Sequence, residues 1–268
     1  MRDTIKRILK SLIPVNARSS FQCRYPKVYW FGLRYKCPFC NSHLRTLLPS
    51  GCDFAVLKEK EVVGGGKRDN VLCPICRSRD RERLLYLYLL NKTQVFKKPI
   101  QLLHVAPEAR LAKVLRPKMP SGYLTADISP EDGMIQMDIT DIQFPDCFFD
   151  AIICNHVLEH IIDDRRAISE LYRTLKPGGW AILQVPISLT LKGTYEDFTI
   201  TTRKGREDAF GQWDHVRIYA LDYPNRLANA GFVVSPFKWI GESDYFGGRR
   251  NVFALNEKEW VHFVRKPQ

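Results

Sequence analysis

Residues 147–186, CFFDAIICNHVLEHIIDDRRAISELYRTLKPGGWAILQVP, decide the fold. Phe148 to Cys154 make an apolar run bounded by polar residues, the pattern of a strand covered on both faces in a parallel sheet. Asp163 to Leu175 then bring Ile168, Leu171, Tyr172 and Leu175 to one helical face, which packs onto that sheet. Lys176, Pro177, Gly178 and Gly179 end the helix with a cation, a residue that cannot continue it and two turn formers. Trp180 to Val185 supply a second buried strand. Strand, helix and strand predict a βαβ unit with a right-handed crossover.

VLEHI followed by LKPGG at this separation resembles the type 11 branch of the class I S-adenosylmethionine (SAM)-dependent methyltransferases, over roughly residues 99 to 256. The resemblance implies an α/β fold, a doubly wound seven-stranded mostly parallel sheet, with SAM as cofactor at its carboxyl edge. Gly122 to Ala126 would be the second strand, leading to Asp127, whose carboxylate suits the two ribose hydroxyls. Met134 to Met137 would be a short third strand, with Asp138 and Ile139 beside the adenine, and Asn155 and His156 would close the fourth. The first strand, Ile100 to Val105, departs from the family. It runs into HVAPEARL, so His104 stands in place of the usual acid, and Ala106 and Glu108 in place of glycines that let the backbone approach the cofactor. Two outcomes stay open: a changed loop that holds the methionine end through backbone groups and Glu108, or a domain that has lost the cofactor.

Charge divides the chain. Residues 1–99 carry 21 Lys and Arg against 7 Asp and Glu, and residues 100–268 carry 20 against 22, so the whole +12 comes from the front. That favours an anionic partner there, RNA or a membrane surface. Within the leader, residues 1–20, MRDTIKRILKSLIP places Ile5, Ile8, Leu9 and Leu12 on one face with cations on the others. This suits peripheral membrane contact or docking on a protein surface. No run of about 18 apolar residues occurs, so a soluble cytoplasmic protein is expected.

Residues 21–92 contain two CxxC pairs, Cys37 and Cys40 in CPFC and Cys73 and Cys76 in CPIC. Each pair is a tight turn that aims two sulfurs at one ion, so a small zinc-ribbon-like module holding a structural Zn2+ is expected ahead of a catalytic domain at 93–268. Arg77, Arg79, Arg81 and Arg83 follow the second pair, as a phosphate grip or a solvated helix start. Cys23 and Cys52 are spare.

Residues 188–222 are long for a connection and would form the acceptor lid. Within it, His215 would take a proton from the acceptor, Asp214 would orient that imidazole and Arg217 would anchor an anionic group. Glu159 and His160 read as fixing the loop after the fourth strand. A helix at about Asp222 to Ala230 should follow, with Phe232 to Ile240 and Asn251 to Leu255 as the last two strands.

The functional expectation is SAM-dependent methyl transfer to an oxygen or nitrogen of a small molecule, sugar or lipid-linked acceptor. RNA methylation and a non-catalytic zinc adaptor are the alternatives. No NPPY-type tetrapeptide follows the fourth strand, where CNHV stands, and this places small molecules and glycans ahead of RNA bases.

Overall fold

The computed structural model describes residues 20, 22–119, 121–131, 134–242 and 244–268, so the amphipathic leader lies almost wholly outside the described residues. Its centre is a seven-stranded sheet: β1 Leu102–Val105, β2 Tyr123–Asp127, β3 Ile135–Gln136, β4 Phe149–Asn155, β5 Leu175–Gln184, β6 Val233–Lys238 and β7 Trp260–Arg265. The spatial order is β6-β7-β5-β4-β1-β2-β3, parallel except for β7, which is antiparallel to both its neighbours. This is the doubly wound class I methyltransferase fold. Five helices matter to the site: α1 Asp80–Lys92, α2 Ala109–Leu115, α3 Asp164–Thr174, α4 Arg203–Phe210 and α5 Tyr223–Asn229.

The apolar run in β4 behaves as its composition demands. Ile152 and Cys154 enter the core on one face with Ile168 and Leu171 of α3, while Ala151 and Ile153 enter the core on the other. Leu84, Leu85, Leu87, Tyr88 and Leu89 of α1 cover that second face. The helix assigned by sequence to the cysteine module is therefore a structural layer of the sheet domain.

Two expectations of strand position are corrected. Asn251 to Leu255 is a turn segment, because Asn251 and Ala254 adopt φ of 44° and 49°, which a strand cannot contain. The Asn251 amide bridges the backbone of Leu255, and the antiparallel seventh strand comes later, at β7. The LKPGG segment belongs to β5 from Leu175 onward, with the pairing to β4 interrupted between Leu175 and Trp180.

The two cysteine turns repeat one geometry. The Cys37 N–H donates to the Ser42 carbonyl and the Asn41 N–H to the Cys37 carbonyl; the Cys73 and Arg77 N–H groups make the same bonds to Ser78 and Cys73. Asn41 and Arg77 occupy the matching left-handed position, with φ of 53° and 66°. The module joins the sheet domain through backbone pairing of Val62–Val63 with Ile187–Ser188, just beyond β5. It is also pinned by Arg83, which is wholly buried and donates to the carbonyls of Val71, Ser78, Phe253 and Ala254. Arg83 is thus a clasp between the two parts and takes no share in a phosphate grip. Among the described residues no helix is long and apolar enough to cross a membrane.

Candidate functional site

The four cysteines converge as the CxxC spacing implies. Their sulfurs all lie within 4.8 Å of one another, with Cys37 to Cys76 at 3.5 Å and Cys40 to Cys73 at 3.8 Å. A tetrahedral ion with about 2.3 Å metal–sulfur bonds requires sulfurs about 3.8 Å apart, so the cluster has the dimensions of a closed thiolate site.

At the carboxyl rim of the sheet, the unusual HVAPE loop keeps a glycine-like backbone. Ala106 sits at φ 44°, the left-handed conformation that the missing glycine would take freely. His104 is corrected from a cofactor contact to a support. It is fully buried, with one ring nitrogen 2.8 Å from the Tyr123 hydroxyl and the other 2.9 Å from Glu108. Burial alone would raise the Glu108 carboxyl, but the hydrogen bond and charge of His104 outweigh it and hold it below the usual range. The other oxygen of Glu108 accepts from the Asn155 side chain at 3.1 Å, so the ends of β1 and β4 are tied together.

That tie leaves a vacancy of hydrogen bonding. The side-chain oxygen of Asn155 is buried with no partner among the described residues, so it is an acceptor that the cofactor's ammonium group would satisfy. Asp127 spends one oxygen on the Ser129 N–H and Asp138 one on Thr140, and among the described residues the second oxygen of each accepts no hydrogen bond. Ile128, beside Asp127, is 61% exposed and Ile139 is buried, so an apolar ring can lie against this edge. The residues present fit SAM: Asp127 for the ribose, Asp138 and Ile128 for the adenine, Glu108 and Asn155 for the methionine ammonium.

Beside this rim lies a cavity of about 450 Å³ between the cysteine module and the sheet. The module supplies the glycine loop Gly64–Gly66, the start of α1 supplies Arg79 and Arg81, and the sheet domain supplies His156, Glu159, His160 and His215. Gly64 is required at its position: its φ is 89°, and a Cβ there would come within 3.3 Å of the His156 ring. His156 itself holds φ 56°, which turns the chain sharply out of β4 and sets the ring in the cavity wall. Its Nδ1 is 3.3 Å from Glu159, a carboxyl that burial pushes up to about 8. Burial drives His156 well below its ordinary value and His215 down to about 3, so both rings are neutral at neutral pH.

The lid residues divide differently from the expectation. His215 does face the cavity, but Asp214 pairs with Nδ1 of His160 at 3.2 Å, and among the described residues the His215 ring is held by the Phe210 backbone and not by a carboxylate. His160 and His215 meet edge to face, with ring centroids 4.7 Å apart. Arg217 cannot anchor an acceptor. It is 1% exposed and donates to the carbonyls of Leu158, Ile161 and Ile162 and to Glu196, tying the lid to the turn after β4. Arg226 and the Tyr219 hydroxyl close the same network on Asp164, the first residue of α3. Sequence reasoning missed the gathering of His156, Glu159 and His160 with the module's glycine loop. The signal available was HVLEH, three ligating side chains within five residues at the end of a buried strand.

Residues 102–183 match the family described as Methyltransferase domain, covering β1 to most of β5. A ubiquinone/menaquinone biosynthesis C-methyltransferase of Geobacter sulfurreducens is 29% identical over 119 residues, 39% of this chain and 46% of that protein. The chloroplastic 2-phytyl-1,4-beta-naphthoquinone methyltransferase of Arabidopsis thaliana is 46% identical over 44 residues, 16% of this chain and 17% of the relative. The chain spans less than half the length of these relatives. Among solved structures, a SAM-dependent methyltransferase from Mesorhizobium loti covers 69% of this chain and 98% of its own at 13% identity, with a TM-score of 0.46. The family match to residues 102–183 and the strand order of the sheet agree on the class I methyltransferase fold.

Proposed function

We propose that the protein methylates an oxygen or nitrogen of a small, polar acceptor, a sugar or a lipid-linked headgroup, seated in the cavity between the cysteine module and the β4 rim. The observation that carries this reading is the position of His156, which follows the last residue of β4 at the cofactor rim and also lines that cavity. SAM supplies an already activated methyl group, so the protein's task is alignment and removal of one proton. Arg79 and Arg81 on one wall suit an acceptor bearing phosphate or carboxylate. His156, neutral and with Nδ1 3.3 Å from Oε1 of Glu159, accepts the acceptor's proton at its other ring nitrogen. His215, the base expected from sequence, is held by the Phe210 backbone and pairs with no carboxylate among the described residues.

The Geobacter relative is a C-methyltransferase of ubiquinone/menaquinone biosynthesis, and carbon methylation is the second reading. Arginine and histidine walls favour a polar acceptor over a long apolar tail. We also propose that the four cysteines hold a structural Zn2+, which keeps the Arg79–Arg81 wall in place. RNA remains a reading supported by the basic front of the chain alone, and filter retention of RNA at graded salt tests it.

The deciding experiment is turnover of His156→Asn with candidate phosphorylated and carboxylated acceptors and methyl-labelled SAM. Asn tolerates the left-handed backbone at this position, so the fold is kept. Turnover should fall about a hundredfold with SAM affinity retained. Unchanged turnover would remove His156 from the reaction, and label on a product carbon would favour the second reading.

A further inference from the structure

We propose that Glu159, His160 and His215 form a second metal site, separate from the cysteine cluster, for a divalent first-row cation such as Zn2+. One donor atom from each residue lies within 4.8 Å of the other two, in the wall of the 450 Å³ cavity. Glu159 is 1% exposed, and among the described residues its Oε2 has no hydrogen-bond partner, although its Oε1 faces His156. If Glu159 merely fixed the loop after β4, that oxygen would be paired, because a buried carboxylate oxygen left alone is costly. A cation at the centre of the three donors satisfies it.

The surroundings are built as an outer shell. Asp214 contacts Nδ1 of His160 and is itself held by the Gln212 side-chain amide at 2.8 Å, so the imidazole is fixed with its other nitrogen as the donor. A carboxylate on the far nitrogen is the arrangement that orients metal-bound histidines. Two imidazoles and one carboxylate select a borderline ion such as Zn2+ over Mg2+ or Ca2+, which prefer all-oxygen sets. Among the described residues three protein donors converge, and the cavity lies in front of them. The remaining coordination positions therefore open toward the acceptor, as in catalytic rather than structural zinc sites.

The test counts metal and not turnover, so its result is independent of the methyl-transfer reading. Full-length protein with its cysteine site filled by Zn2+ is dialysed against Co2+. The expected result is uptake of one further ion, with weak visible bands and none of the strong sulfur-to-cobalt absorption of a thiolate site. Glu159→Gln and His160→Ala should each weaken that uptake about a hundredfold or more, and Asp214→Asn about tenfold to a hundredfold, with circular dichroism unchanged. Uptake that stops at the cysteine ion, or that persists in Glu159→Gln and His160→Ala, would overturn the proposal. So would a further ion whose spectrum is that of a thiolate site.

Discussion

The cysteine cluster and the Glu159–His160–His215 cluster both gather metal-ligating atoms, yet their surroundings assign them opposite work. The four sulfurs touch one another, are backed by the Ser42 and Ser78 hydroxyls, and leave no corner of a tetrahedron open. The carboxylate and two imidazoles stand at the edge of a cavity and, among the described residues, supply three donors. A closed site fixes architecture, whereas an open one leaves room for a reactant. The two are nevertheless coupled, since the module built on the closed site supplies one wall of the open one.

The sharpest way to break this contrast is Cys73→Ser. A structural zinc ion is worth about 10 kcal/mol of apparent folding energy, so loss of one thiolate should unfold the module and α1 with it, seen as loss of helical circular dichroism and of bound zinc. Survival of a folded, fully active protein would mean that the closed cluster is dispensable. Next in size is Arg83→Leu, which removes the guanidinium donor from four carbonyls at the seam between module and sheet, of which Ser78 keeps the Cys73 N–H. Denaturant unfolding should show a loss of about 4 kcal/mol, and a change below about 1 kcal/mol would dissolve the clasp.

The smallest effect concerns Glu259, buried beside the cavity's glycine loop, with one carboxylate oxygen unpaired. Burial pushes its carboxyl from 4.5 up to about 7. The folded state thus binds a proton that the unfolded state has released, and stability falls as pH rises from about 4.5 to 7, levelling above that range. The loss is on the order of 3 kcal/mol at most. Glu259→Gln should flatten the stability profile across that window; an unaltered slope would show that Glu259 titrates normally.

How much of this was legible in the sequence follows from the kind of force involved. β4 and β5 could be read because burial on both faces leaves an apolar run, and the cysteine turns because CxxC spacing is a local constraint. The β7 strand was missed. Its Trp260 and His262 alternate with apolar neighbours in a way that sequence reads ambiguously, and the buried His262 meets the side-chain amide oxygen of Gln184 with its backbone N–H and its ring. Arg217 was misassigned because a charge in a lid reads as exposed, while here three carbonyls of the turn after β4 demand donors. His104 likewise looked like a rim residue, and only the fold shows it beneath Glu108.

The central claim is that the rim formed by Asp127, Asp138, Glu108 and Asn155 accommodates SAM although its usual glycines are absent. Equilibrium dialysis of labelled SAM against the full-length protein tests it most directly. Binding is expected with a dissociation constant on the order of 10 µM, weakened at least about tenfold in Asp127→Ala through loss of two charge-assisted hydrogen bonds. No retention of SAM by the folded protein, or equal retention by Asp127→Ala, would contradict it.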